Sequence, residues 1–164
     1  MAIRDLFTIS RKKNTDNITR KEDEKSFPEG IVTKCPKCKT IHVTKELEKN
    51  LKVCAKCQHH FTLTANERIA CFLDEGSFVS MDDHLQTTNP LNFPAYVEKV
   101  EADIKKTGLN EAVLTGVGAL KGMQVVVAVM DSHFRMGSMG SVVGEKITRA
   151  VEKATELKVP FIIY

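Results

Sequence analysis

Two Cys-x-x-Cys pairs constrain this 164-residue chain more than any other feature. Cys35-Pro36-Lys37-Cys38 and Cys54-Ala55-Lys56-Cys57 are separated by 15 residues. A tight knuckle turn lets two thiolates converge on one metal at about 2.3 Å, and a second knuckle completes a tetrahedron. The spacing predicts one structural Zn2+ held by Cys35, Cys38, Cys54 and Cys57. Four thiolates close the shell and leave no position for water or substrate, so such a metal holds a fold together and does no chemistry. A thioredoxin-like redox pair is the competing reading, but those motifs come singly beside a βαβ unit. His59 and His60 could replace Cys57 as a ligand, but with four thiolates closing the shell they read as solvent-facing imidazoles or as neighbours of the sulfurs. The fifth cysteine, Cys71, argues against a closed disulfide framework and reads as a buried, inert thiol inside a helix.

Charge is distributed unevenly. The net +3 combines +1 over residues 1–33, +5 over residues 34–61 and −3 over residues 62–164. The positive charge sits on the expected ribbon, which carries seven Lys against Glu46 and Glu48. One reading is an electrostatic footprint for phosphate, including nucleic acid. The other is a small solvated module kept soluble by its lysines. The ribbon has Phe61 as its one aromatic, without the interleaved stacking residues of single-strand binders. A 42% hydrophobic and 27% charged composition excludes a disordered or collagen-like chain. The longest apolar run, Val125–Met130, is far short of the roughly 18 to 20 residues a membrane span needs. The start has no continuous apolar h-region, so a cytoplasmic location and no membrane partner are expected.

The chain divides into a flexible charged leader over residues 1–30, a zinc ribbon over 31–61, and an α/β unit over 62–164. Short strands are expected around Ile31–Lys34, Thr40–Val43, Lys52–Val53 and Phe61–Leu63. Thr64 and Glu67 match a capping box that opens a helix stopped near Gly76. A short strand at Phe78-Val79 and a loop over Asp82–Pro94 follow. A helix over Ala95–Thr107 should turn Val97, Val100 and Ile104 inward. Glu111–Leu120 and Met123–Met130 read as a hairpin across Lys121-Gly122. Next comes a helix over Val142–Lys158 with Val143, Ile147, Ala150, Val151, Ala154 and Leu157 on one stripe. The strand at Phe161–Tyr164 should lie parallel to Met123–Met130 by a right-handed crossover. A parallel strand normally continues into a loop that carries function at its carboxyl edge. Because Tyr164 ends the sequence, the expectation is a truncated protein.

Gly137, Gly140 and Gly144 surround a helix start, with Ser138 and Ser141 between them. Such a start presents free backbone N–H groups that glycine leaves open to a ligand; the same glycines also suit close helix–sheet packing. There is no Gly-Lys-Ser/Thr triplet and no G-x-G-x-x-G order. Arg135 either neutralises a phosphate or pairs with Asp131. Neither His84 nor His133 has an obvious Ser or Cys partner in sequence, so any catalysis falls to backbone donors.

Taken together, CPKC…CAKC, NPLNFPAYVEKVEADIKKTGLNEAV, Val127-Ala-Val-Met-Asp-Ser132 and FRMGSMGSVVGEKITRAVEKA closely resemble the β subunit of bacterial acetyl-coenzyme A carboxylase carboxyltransferase. The resemblance covers about Ile31 to Tyr164. It implies an α/β, crotonase-like ββα core, incomplete at the C-terminus and preceded by a four-cysteine zinc ribbon. It also implies a heterotetramer with a carboxyltransferase α subunit, working with biotin carboxylase and with biotin borne on a biotin carboxyl carrier protein. Together these move a carboxyl group onto acetyl-CoA to form malonyl-CoA for fatty-acid synthesis. The matching glycine segment makes Arg135, Gly137, Ser138, Met139, Gly140 and Ser141 the candidate substrate-binding residues. The family places a principal oxyanion-hole turn after the strand matching Phe161–Tyr164. This sequence stops before it, so no catalytic residue is assigned and the chain alone is expected to be inactive.

Overall fold

The computed structural model describes residues 30–164. The expected leader lies outside them except for Gly30. Strands β1 (Val32–Lys34) and β2 (Ile41–Val43) pair antiparallel, with Val32 opposite Val43. A helix that the sequence pattern does not announce, α1 (Thr44–Lys49), follows directly and buries Leu47. The strand expected at Lys52–Val53 is a single bridge from Val53 to His60, and Phe61–Leu63 forms no strand.

Helix α2 (Ala65–Phe72) begins as its capping box requires. Thr64 Oγ1 accepts from Glu67 N at 3.2 Å, and Glu67 Oε2 accepts from Thr64 N at 2.9 Å. It ends at Phe72, with Leu73 already extended, so Gly76 falls in a later turn and does not stop the helix. Ala65 and Ile69 are its buried residues. Cys71 lies two residues past Ile69, about 200° round the helix, and is exposed, correcting the expected buried thiol.

The main sheet has the order β3-β4-β5-β6, formed by Val79–Met81, Val113–Leu120, Met123–Met130 and Phe161–Ile163. The first three strands run antiparallel; β6 is parallel to β5, with Val126 opposite Phe161. Lys121 and Gly122 both take positive φ (51° and 78°), as a two-residue hairpin turn demands. Asp74 accepts from both of their amides, at 2.9 and 2.7 Å, and fastens the turn to the segment after α2.

β5 explains its own sequence. Val125, Val127 and Val129 pack against Ala65, Ile69 and Leu73, while Val126 and Ala128 face the opposite layer. That layer contains α4 (Ser141–Leu157), whose Val143, Ala150 and Ala154 are buried. A strand covered on both faces reads as a continuous apolar run, not an alternating one. β4 carries glycine where neighbours come closest: a Cβ on Gly118 would sit 2.6 Å from Leu73 Cδ1, and one on Gly116 would overlap the Phe78 ring and the Val79 carbonyl.

Two expected inward valines point out. In α3 (Tyr96–Thr107) the covered stripe passes through Tyr96, Val100, Ile104 and Thr107, leaving Val97 half exposed on its flank. In α4, Val151 lies about 80° round from Val143 and is also exposed, whereas Lys146 occupies a buried position.

Candidate functional site

The two knuckles are built alike. Cys35 N donates to Thr40 O and Lys39 N to Cys35 O; Cys54 N donates to His59 O and Gln58 N to Cys54 O. Lys39 and Gln58, each four residues past the first cysteine of its pair, both take positive φ (62° and 58°). The repeated turn brings the four Sγ atoms within 4.8 Å of one another, with Cys35–Cys57 at 3.7 Å and Cys38–Cys54 at 3.6 Å. Four sulfurs about 2.3 Å from a common centre stand about 3.8 Å apart, so this donor set fits tetrahedral Zn2+. The Thr40 hydroxyl and its backbone N–H pull the Cys38 thiol down toward the thiolate, while burial pushes the Cys57 thiol up. A divalent cation among the sulfurs deprotonates coordinating thiols outright. His42, which no spacing in the sequence singles out, places Nε2 3.2 Å from Cys54 Sγ. His59 instead packs edge-on against Phe61.

A second arrangement forms where β5 hands over to α4. Asp131 accepts from Ala65 N (2.8 Å) and His133 N (2.8 Å), and its Oδ1 is 2.7 Å from His133 Nδ1. It therefore braces the start of α2 against the end of β5, and Arg135 lies nearest Asp103 rather than Asp131. Burial pushes its carboxyl upward, but those hydrogen bonds outweigh burial and hold it below the usual carboxylate range. A depressed carboxyl contributes stability that is complete above its unfolded value, about 3.9, and is lost as pH falls through the folded value. Asp131→Asn should cost about 2 kcal/mol at pH 7, because an amide cannot accept at both ends. In urea titrations the gap between the two proteins should close below about pH 4. A constant gap down to pH 2 would contradict the brace.

Past this brace the chain makes a 3₁₀ turn over Arg135–Gly137, with positive φ at all three residues, and reaches α4 at Gly140. Gly140 supplies no side-chain cap, so the first N–H groups of a 17-residue helix keep free donors. A Cβ at Gly140 or Gly144 would meet nothing within 4 Å. Helix–sheet packing therefore does not require these glycines, and the open space beside their main chain remains. Ser138, Met139 and Ser141 are exposed.

Of the expected substrate-binding residues, Arg135 and Ser141 line one mostly apolar cup of about 500 Å³, and Met139 is exposed nearby in sequence. Its other wall is the segment from Thr87 through Phe93, closed by Tyr96. Asn89 shapes that wall: its Oδ1 accepts from Phe93 N at 2.9 Å, leaving Leu91 and Phe93 largely exposed. Arg135 stacks its guanidinium 5.2 Å from the Tyr96 ring centroid, with Nε 3.9 Å from Asp103 Oδ2. Its Nη1 is buried and has no hydrogen-bond partner among the described residues. An unsatisfied guanidinium nitrogen beside free helix N–H groups and an apolar wall suits a ligand with acceptor oxygens and an apolar body. The glycine segment marks Arg135 and Ser141 in the sequence. The wall at Leu91 and Phe93 has no local signal beyond Pro90 and Pro94.

Residues 59–164 match the carboxyl transferase domain, and residues 33–57 match the acetyl-CoA carboxylase zinc finger domain. The chain belongs to the carboxyl transferase domain family. Its four-cysteine cluster falls at the zinc finger match, and its sheet and helices form the crotonase-like α/β fold of carboxyltransferases. Among solved structures, this carboxyltransferase chain is similar to the transcarboxylase 12S hexamer with methylmalonyl-coenzyme A bound, at 24% identity and a TM-score of 0.50. It is also similar to a single-chain, multi-domain long-chain acyl-CoA carboxylase, at 21% identity and a TM-score of 0.51. Each match covers 62% of this chain but only 18% and 10% of those chains, respectively, so the likeness is one of fold. No helix among the described residues is long and apolar enough to cross a membrane.

Proposed function

We propose that this carboxyltransferase chain is the β-subunit part of a bacterial acetyl-CoA carboxylase. It acts with an α subunit in the cytoplasm and moves a carboxyl group from carboxybiotin to acetyl-CoA. Malonyl-CoA for fatty-acid synthesis is the product. The biotin is borne on a biotin carboxyl carrier protein and charged by biotin carboxylase. The observation that carries this reading is the pairing, on one chain, of the acetyl-CoA carboxylase zinc finger domain with the carboxyl transferase domain.

The cup supports the chemistry. Acetyl-CoA must lose a methyl proton, and charge then develops on the thioester oxygen. Backbone N–H groups aimed at such an oxygen contribute about 3 kcal/mol each to transition-state stabilisation. The corner from Arg135 through Gly137, Ser138, Met139 and Gly140 to Ser141 presents main chain with open space beside Gly140, next to the Arg135 guanidinium, whose Nη1 has no acceptor among the described residues. Among the described residues no hydroxyl or thiol hydrogen-bonds His133, whose Nδ1 meets Asp131, so no side-chain nucleophile is paired with a base there.

The test is transfer of a labelled carboxyl group from carboxybiotin by the complete subunit with its α partner, offered acetyl-, propionyl- and longer acyl-CoA. The highest kcat/KM is expected on acetyl-CoA. A preference for a longer or branched acyl-CoA would assign the chain to another carboxylase.

A further inference from the structure

Lys146 is the one buried cation among the described residues, with its side chain 2% exposed. Its Nζ makes no hydrogen bond there and lies 3.9 Å from Asp83 Oδ1. Asp82 and Glu111 also act on it; burial pushes the ammonium toward neutrality and the three carboxylates oppose that. One turn further along α4, Arg149 Nη1 reaches Asp82 Oδ1 at 3.0 Å. Two cations of one helix thus engage two consecutive carboxylates directly after β3. Asp83 is held again from below, its carbonyl accepting from Asn110 Nδ2 at 2.7 Å and its carboxylate from Ser80 Oγ at 2.6 Å.

From this point the chain runs as irregular backbone to Ala95 and forms the wall of the cup at Leu91 and Phe93. The opposite wall includes Ser141, the first residue of α4. The helix that carries one wall therefore also anchors the root of the other. Only the cation of the Lys146–Asp83 pair is buried, so the pair adds little net stability; the best-attested use of such a buried charge is to fix one arrangement among several.

We infer that Lys146, supported by Arg149, is a positioning residue that fixes residues 84–95 against α4 and so sets the width of the cup. The inference rests on the reading of that cup as the acyl-CoA site. Asp83→Asn is the cleanest probe, because Asp83 is more than half exposed and the amide keeps the acceptor for Ser80. In the complete carboxyltransferase, Asp83→Asn should raise KM for acetyl-CoA about tenfold and leave kcat within about twofold, since the loss is one of ground-state positioning. Lys146→Met should do the same, and the double variant should be no worse than either single one.

An unchanged KM in folded Asp83→Asn, or effects that multiply in the double variant, would overturn the inference. Arg135→Ala separates the clamp from the cup. If it raises KM while Asp83→Asn does not, only the clamp fails; if neither raises KM, the reading of the cup fails with it.

Discussion

Cys38→Ser should release the zinc and unfold residues 31–61 while leaving the β3–β6 sheet and α4 in place. The ribbon has almost no core of its own: Cys35, Leu47 and Cys54 are its buried apolar residues, and β1 and β2 have three residues each. So little apolar burial cannot offset the conformational entropy of ordering about 30 residues. Structural zinc supplies about 10–16 kcal/mol in comparable modules, so losing one thiolate takes away most of what holds the ribbon folded. The main unit does not share this dependence. Its clusters are built from Ala65 onward, around Val125 to Val129. Metal stoichiometry and amide exchange on the same sample check the result. About one equivalent of zinc retained in Cys38→Ser, or loss of protection in α4 along with the ribbon, would contradict it.

Arg135→Ala should raise KM for acetyl-CoA by one to two orders of magnitude while changing thermal stability little. A hydrogen bond to a charged group contributes about 1.5–3 kcal/mol, which corresponds to roughly 10- to 150-fold in affinity. Without ligand, the same side chain gains little. Its Nη1 is buried without an acceptor, and stacking on Tyr96 is worth about 0.5–1 kcal/mol. A residue needed only for packing would show the reverse, with stability falling and KM constant. Steady-state kinetics of the complete enzyme together with a thermal melt decide between them.

Local chemistry explains which parts of the molecule are legible in the sequence. Thr64 and Glu67 announce a helix start because a capping box is a contact between near neighbours. Lys121-Gly122 announces a hairpin because the turn demands positive φ at both residues. The Cys-x-x-Cys spacing announces a metal site because each knuckle is a local turn. Sequence and structure part where long-range packing decides the outcome. Cys71, Val97 and Val151 are exposed because α2, α3 and α4 each bury a narrower stripe than the pattern of apolar residues suggests. Lys146 is buried with Asp83, 63 residues earlier, beside it, and no spacing rule links the two. His42, on β2, reaches Cys54 of the second knuckle, 12 residues later, for the same reason. Half of the cup is legible, Arg135 to Ser141, because glycine at a helix start has a physical signature. The facing wall is not, because Leu91 and Phe93 gain their role only from where Asp82 and Tyr96 anchor the segment between them.

The most direct test is amide exchange on the complete two-subunit carboxyltransferase, with and without saturating acetyl-CoA. Protection should rise at the amides of residues 135–144 and along residues 87–93, and Arg135→Ala should shift it to acetyl-CoA concentrations one to two orders of magnitude higher. Protection that leaves residues 135–144 untouched and gathers elsewhere, such as the groove between Leu51 and Cys71, would contradict the assignment of the acyl thioester to this corner.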